Sequence, residues 1–120
     1  MKRITLLLLS VLLSAQFFIA LSEEQILLAQ KGGHLEHYTP ADMPEVFYDG
    51  DEDEIIIVAD GFSSYYDVLI IRNSTNQTMV LTQVSGYGDT IDVSALPSDN
   101  YTIVITSEYN NVFEGQFTII

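Results

Sequence analysis

The segment Leu96-Pro-Ser-Asp-Asn-Tyr-Thr-Ile-Val-Ile-Thr-Ser-Glu-Tyr-Asn-Asn-Val-Phe-Glu-Gly-Gln-Phe-Thr-Ile-Ile120 contains two amphipathic stretches around one turn. In residues 101–106 the odd positions are large and apolar, and in residues 112–119 the apolar face is Phe113, Gly115, Phe117 and Ile119. Alternation with a period of two is typical of half-buried strands. The two stretches therefore predict an antiparallel hairpin that buries a common face, and this face needs a second sheet to cover it.

The chain upstream of the hairpin supplies further strand candidates. They lie at residues 46–48, 54–59, 65–72, 78–84 and 90–93, separated by turn signals. Strands that recur at this spacing, without a credible helix, indicate a sandwich and not an α/β fold. We therefore expect an all-β chain with about seven antiparallel strands in a single sandwich domain at residues 44–120.

The N-terminus has the pattern of a secretory signal peptide. Met1-Lys2-Arg3 is basic, residues 4–13 are mostly apolar, and small residues follow at Ala20 and Ser22. We expect cleavage after Ser22, so that residues 1–22 are removed, with cleavage after Ala15 or Ala20 as alternatives. An uncleaved N-terminal anchor is the competing interpretation, because residues 4–21 carry no charge.

Residues 23–43 are interpreted as a leader, either a mobile tether or a partly docked arm. Ser22 to Gln25 resembles a helix cap, and residues 26–29 predict a short helical turn that ends before Gly32-Gly33. Pro40 and Pro44 favour extended backbone. Because residues 112–120 or 46–48 are expected at sheet edges, the leader either protects an edge of its own domain or pairs with another copy.

Composition excludes several classes of function. The chain has no cysteine, which removes thiol catalysis and thiolate zinc sites, and favours a bacterial envelope protein over an animal extracellular module. After signal removal only Lys31 and Arg72 remain against 17 acidic residues, a formal charge of −15. This charge opposes nucleic acid, anionic membrane surfaces and self-association, so a monomer is expected.

The hairpin segment also carries a family resemblance. Leu96-Pro-Ser-Asp-Asn-Tyr101, the following Thr-Ile-Val-Ile and Phe113-Glu-Gly-Gln-Phe117 resemble the close of immunoglobulin-like domains in short secreted proteins of Bacteroides-type gut bacteria. The resemblance covers residues 44–120 and implies an immunoglobulin-like or fibronectin-III-like β-sandwich of unknown function. The close is also similar to the sorting domain of type IX secreted proteins, but this sequence lacks a large cargo domain and the basic tail.

Three residues of the hairpin are expected to be structural. Tyr101 opens a strand just after a Leu-Pro turn, where its ring can be buried while its hydroxyl reaches a backbone group, as in a tyrosine corner. Phe113 and Phe117 lie on the buried face of the last strand.

The acidic run from Asp49 to Glu54 is the strongest chemical feature of the sequence. Asp49, Asp51 and Asp53 provide carboxylates at a spacing similar to a calcium loop. However, Glu54 stands at the sixth position, where such a loop needs glycine. A solvated turn between two strands explains the run at least as well, so calcium is a candidate ligand and no other cofactor is expected.

Other motifs predict little chemistry. His34 and His37 lie in the leader with too few neighbouring ligands for a metal site. Asp89-Thr90-Ile91 is similar to an O-glycan acceptor motif of such bacteria, which makes Thr90 a candidate glycosylation site. Four tyrosines either cover loops at the ends of the sandwich or pack within strands, and packing is favoured; they are Tyr65, Tyr66, Tyr87 and Tyr109.

The sequence thus favours a secreted, non-catalytic interaction module in the periplasm or at the cell surface. Its partner is an unidentified protein or carbohydrate. The alternative is a structural subunit of a surface assembly that is joined by strand addition. A calcium-binding or glycan-binding module is a further alternative, and no catalytic constellation can be drawn.

We expect the mature protein to begin near Glu23. Intact-mass measurement of the exported protein should show loss of residues 1–22. A protein that keeps Met1 and stays in the inner membrane would contradict the expectation of a secreted protein.

Overall fold

The computed structural model describes residues 23–32 and 41–120, and within this part the chain forms nine strands. The strands are β1 Glu23–Ile26, β2 Ala29–Gly32, β3 Glu45–Asp49, β4 Glu54–Val58, β5 Tyr65–Arg72, β6 Gln77–Ser85, β7 Gly88–Asp92, β8 Asp99–Ser107 and β9 Val112–Ile119. Strands β3 to β9 correspond to the seven predicted from the sequence. No helix in the described residues is long and apolar enough to cross a membrane.

The strands form two antiparallel sheets. One has the order β1-β3-β4-β7, and the other has the order β2-β9-β8-β5-β6. The predicted hairpin is β8 and β9, with Tyr101 opposite Phe117 and Ile105 opposite Phe113. The predicted all-β sandwich is therefore confirmed.

The core consists of the inward residues of both sheets. The buried cluster is Ile26, Val46, Tyr48, Ile55, Ile57, Tyr66, Val68, Ile70, Val84, Ile91, Val93, Tyr101, Ile103, Ile105, Phe117 and Ile119. Phe117 lies between the layers: its ring centroid is 5.5 Å from that of Tyr101 in its own sheet and 5.7 Å from that of Tyr48 in the other. Offset aromatic contacts of this kind add to the burial of apolar area, so Phe117 helps to hold the two sheets together.

Residues 23–32 of the predicted leader, which we call the N-terminal arm, are paired with both sheets. β1 pairs with β3, and β2 pairs with β9, so the chain passes from one sheet to the other at Leu27 and Leu28. The expectation of a helical turn here is wrong. A single helical turn is not stable alone, whereas the edges of β3 and β9 offer partners for the arm's backbone groups.

The arm also contributes to packing. Ile26 is buried in the core cluster, and Leu28 packs against it. Of the two alternatives for the leader, residues 23–32 match the docked arm, and the β3 and β9 edges that the sequence left open are covered.

A glycine in β9 makes room for this crossing. A Cβ atom on Gly115 would lie 2.7 Å from Ile26 Cγ2, 2.9 Å from the Leu27 carbonyl oxygen and 3.0 Å from Leu28 Cδ2. Such distances are too short for an added methyl group, so any larger residue must displace the arm. The turn glycine Gly50 differs, because the nearest atom to its Cβ position is a Tyr48 ring carbon at 3.8 Å.

We therefore expect Gly115→Ala to lower the free energy of unfolding by about 1–3 kcal/mol, because it forces the arm away from β9. The matched control Gly50→Ala should change stability by less than about 1 kcal/mol. Urea unfolding of both variants measures the difference, and amide exchange at residues 29–32 reports the arm directly. Equal stability of the two variants would show that the arm contributes little.

Candidate functional site

Three loops meet at one end of the sandwich, which we call the loop end. They are residues 59–64 between β4 and β5, residues 86–87 between β6 and β7, and residues 108–111 between β8 and β9. The strand registers bring them together, because Tyr65 lies opposite Ser85 and Tyr66 lies opposite Ser107. In sandwiches with loops clustered in this way, binding residues commonly lie on such loops.

Hydrogen bonds tie the three loops to one another. The N–H of Gly61 donates to the Gly86 carbonyl oxygen at 2.9 Å, and the N–H of Gly86 donates to the Ser64 carbonyl oxygen at 2.9 Å. The N–H of Ser64 donates to Glu108 Oε2 at 2.6 Å, and the N–H of Glu108 donates to Ser63 Oγ at 3.1 Å. Since each loop is fixed by a neighbour, the loop backbone has little freedom to lose on binding.

Three exposed aromatic side chains stand on these loops, and we call them the aromatic platform: Phe62 (55% exposed), Tyr87 (77% exposed) and Tyr109 (55% exposed). The ring centroids of Phe62 and Tyr109 are 6.0 Å apart, and the Tyr109 hydroxyl donates to the Phe62 carbonyl oxygen at 3.3 Å. The Tyr87 ring lies against Gly61, whose Cβ would be 2.6 Å from it. Large rings left in water cost free energy, so a contiguous group of them indicates a contact surface.

Carboxylates lie beside the platform. Asp60 Oδ1 accepts a hydrogen bond from the N–H of Phe62 at 3.1 Å, and Glu108 Oε2 accepts one from the N–H of Ser64. The Glu108 charge raises the pKa of Tyr109. The platform therefore combines apolar rings with hydroxyl donors and negative charge.

A network of buried, hydrogen-bonded polar side chains lies between the loop end and the N-terminal arm. Asp42 is 2% exposed, and Asn111 Nδ2 donates to both of its carboxylate oxygens at 3.2 and 3.0 Å. Gln30 Nε2 of the arm donates to Asn111 Oδ1 at 3.2 Å, and the Tyr66 hydroxyl donates to the Asp42 carbonyl oxygen at 2.7 Å. Satisfied buried networks fix geometry, so this one joins the arm to the last loop.

Tyr66 is thus a core residue and not a loop residue. Burial, with the nearby charges of Asp42 and Asp60, raises the pKa of Tyr66 to about 12. Tyr65 is exposed at the start of β5, while Tyr87 and Tyr109 are the exposed loop tyrosines. The sequence interpretation favoured packing for all four. It did not single out Phe62, whose signal is an aromatic residue in the turn sequence Asp60-Gly-Phe-Ser-Ser64.

The structure does not bring the candidate calcium ligands together. Asp49 Oδ1 accepts from the N–H groups of Asp51 at 2.9 Å and Glu52 at 3.3 Å, which closes the β3–β4 turn. Asp53 has a φ of 53° and accepts from the Tyr48 hydroxyl at 3.5 Å. Within residues 23–32 and 41–120, no three acidic or histidine side chains are placed to hold a metal ion.

Of the predicted structural residues, Tyr101 and Phe117 lie towards the opposite end of the sandwich, and Phe113 follows directly after the loop at residues 108–111. Tyr101 is fully buried, and its hydroxyl donates to the Pro97 carbonyl oxygen at 2.6 Å, which is the geometry of a tyrosine corner. Phe113 is also fully buried, and Phe117 lies between the sheets. Next to this corner Ser74 and Arg72 donate to Asp99, and these hydrogen bonds lower the pKa of Asp99 to about 2.

Thr90 is exposed on the edge strand β7, and its N–H donates to Asp89 Oδ1 at 2.8 Å. Its side chain is thus accessible to a modifying enzyme, on the strand that ends its sheet. His34 and His37 lie outside the described residues.

Comparisons with known proteins identify the fold. No protein-family model matches the chain, and no curated protein matches it. The structure is similar to the crystal structure of a DUF3244 family protein with an immunoglobulin-like β-sandwich fold from Bacteroides vulgatus ATCC 8482. The TM-score is 0.66 at 16% sequence identity, and the match covers 82% of this chain and 99% of the other.

The predicted immunoglobulin-like sandwich is therefore confirmed, at an identity that shows the fold alone. The similar structure also comes from a domain-of-unknown-function family of Bacteroides, which is the kind of family that the sequence resembles. The resemblance of residues 44–120 to immunoglobulin-like domains of Bacteroides-type proteins is thus confirmed at the level of the fold.

The acidic turn at Asp49 to Asp53 yields a prediction about calcium. Millimolar calcium should raise the melting temperature no more than another salt at matched ionic strength, because both screen the repulsion among carboxylates. Thermal unfolding of the wild type and of Asp51→Asn with Asp53→Asn tests this. A rise specific to calcium that the double variant lacks would establish a site, since a bound ion stabilises by mass action.

Proposed function

We propose that this protein is an exported, non-catalytic module that binds another protein through the aromatic platform at its loop end. The observation that carries the proposal is the combination of three exposed rings with loops that are hydrogen-bonded to one another. Aromatic anchors that are already fixed in place contribute most to protein interfaces, because they bury much area and lose little entropy.

The shape and chemistry of the platform favour a protein as the partner. The rings of Phe62 and Tyr109 are inclined by 57° to each other, so they do not form one flat surface on which a sugar ring could stack. Projecting rings instead suit an apolar pocket on the partner. The carboxylates of Asp60 and Glu108 at the margin, on a mature chain with a formal charge of −15, favour a pocket surrounded by lysine or arginine.

We further propose that the chain belongs to a DUF3244-like family and acts in the periplasm or at the cell surface after loss of residues 1–22. The signal pattern, the absence of cysteine and the structural similarity to the Bacteroides protein support this placement. A domain without disulfides must rely on its core, and the two-sheet core described above is continuous.

The test is retention of partners from an envelope extract by the immobilised mature protein. We expect Phe62→Ala with Tyr109→Ala to weaken retention at least about 10-fold, since aromatic anchors are typical hot spots. Leu27→Ala is the matched control, because Leu27 is an exposed apolar residue that lies between β1 and β2. Bound protein should elute as salt rises, as expected for an acidic surface that meets a basic one.

Both variants remove exposed side chains, so they should keep the wild-type melting temperature within a few degrees. Equal retention by the platform variant and the wild type would contradict the proposal. Amide shifts confined to residues 60–64, 86–88 and 108–110 in the presence of neutral glucan or mannan oligosaccharides would overturn it in favour of a glycan-binding module.

A further inference from the structure

Within residues 23–32 and 41–120, four strands end the two sheets, and three of them are both short and charged. β1 and β2 have four residues each, with Glu23 and Glu24 in β1 and Lys31 in β2. β7 has five residues and includes Asp89 and Asp92. Short length and charge are the usual ways in which proteins keep an edge strand from pairing with another chain.

β6 is the exception. It has nine residues, Gln-Thr-Met-Val-Leu-Thr-Gln-Val-Ser, and none is charged. The uncharged stretch extends from Asn73 to Gly88, although the chain has 17 acidic residues. The β5–β6 register shifts where Ile70 lies opposite Val80 and Ile71 opposite Thr78, so β6 has one local irregularity at Met79, while Val80 to Ser85 pair with β5 in regular register. Among residues 23–32 and 41–120 no strand pairs with the outer side of β6.

The face of β6 that points to solvent, away from the core, is also apolar at its centre. Leu81 is 75% exposed and lies opposite Leu69 of β5, which in turn lies opposite Val104 of β8. These three side chains form an apolar row that ends at the β6 edge. Another strand added at this edge would extend the row and place a neighbouring side chain beside Leu81.

We propose that β6 is a dimerisation edge, at which two copies of this chain pair antiparallel through a two-fold axis. The five-stranded sheets then join into one continuous sheet. Because the same edge is used by both copies, the assembly closes at two and leaves neither β6 edge open.

The distribution of charge selects a second copy as the occupant. A basic partner strand would be attracted by carboxylates on the edge itself, and β6 has none. Two chains that are each strongly acidic, in contrast, can approach only where neither carries charge. The expectation of a monomer was based on the net charge of the whole chain. Strand β6 carries no charged residue, so this repulsion does not act directly at its edge.

The register follows from symmetry. A two-fold axis at the centre of β6 places Leu81 opposite Leu81 of the second copy and Gln83 opposite Met79. Directly opposed residues in antiparallel strands have Cα atoms about 4.5–5.5 Å apart, a separation that a disulfide can span. The chain has no cysteine, so an introduced one can pair only with its counterpart.

The first experiment is oxidation of single-cysteine variants of the mature chain. Leu81→Cys should form a disulfide-linked dimer at least about 10-fold faster than Gln83→Cys, since position 83 lies opposite Met79 of the other copy and not opposite itself. Both side chains are exposed, so simple accessibility predicts equal rates. Equal rates, or a faster Gln83→Cys, would overturn the proposed pairing.

The second experiment measures association of the wild type by sedimentation velocity over a range of concentrations. We expect a monomer–dimer equilibrium that Leu81→Lys weakens at least about 10-fold, because two ammonium groups would face each other. Thr90→Lys on β7 is the matched control and should leave the equilibrium unchanged. A wild type that stays monomeric at the highest concentration, or a dimer that Leu81→Lys does not weaken, would overturn the proposal.

These outcomes are separable from the platform's role. Phe62→Ala with Tyr109→Ala should leave dimerisation unchanged, and Leu81→Lys should leave partner retention by the loop end unchanged for each subunit. Dimerisation that is lost in the platform variant would also contradict pairing through β6.

Discussion

An edge strand presents a row of backbone N–H and C=O groups without a strand partner, and in this protein one short segment pairs with a strand of each sheet. The arm places β1 beside β3 and β2 beside β9, while Ile26 enters the core between them. The described residues contain no disulfide and no helix, so pairing of the arm with both sheets takes the stabilising role that a disulfide has in many small secreted domains. The absence of a side chain at Gly115 is the local condition that allows it.

The strands of the sandwich could be predicted because their information is local. Alternation in β8 and β9, and the apolar run Ile55-Ile-Ile-Val58, identify strands without knowledge of their neighbours. The arm could not be predicted in this way, because Glu23 to Gly32 has a pattern that fits a helix start as well as a strand. Its conformation is decided by the edges of β3 and β9, which are distant in sequence.

The candidate site was predictable only in part, because its residues come from loops that are distant in sequence. The sequence identified Tyr87 and Tyr109 as possible loop residues, but their proximity to Phe62 depends on which strands are neighbours. Asp42 and Asn111 gave no signal, since each looks like an ordinary turn residue until the fold buries them together. Three-dimensional neighbours from separate loops therefore form a site that no short motif encodes, whereas Asp49 to Asp53, a conspicuous motif, closes a turn.

The pairing of β2 with β9 has a consequence for how the chain is made. β2 is among the first described segments to be synthesised, and its partner is the last strand, with Ala29 opposite Glu114. Because Ala29 and Glu114 are far apart in sequence, β2 cannot form this pairing until β9 has been synthesised. A nascent chain therefore leaves the outer strand β2 available to chaperones or to another chain until residues 112–119 have been made.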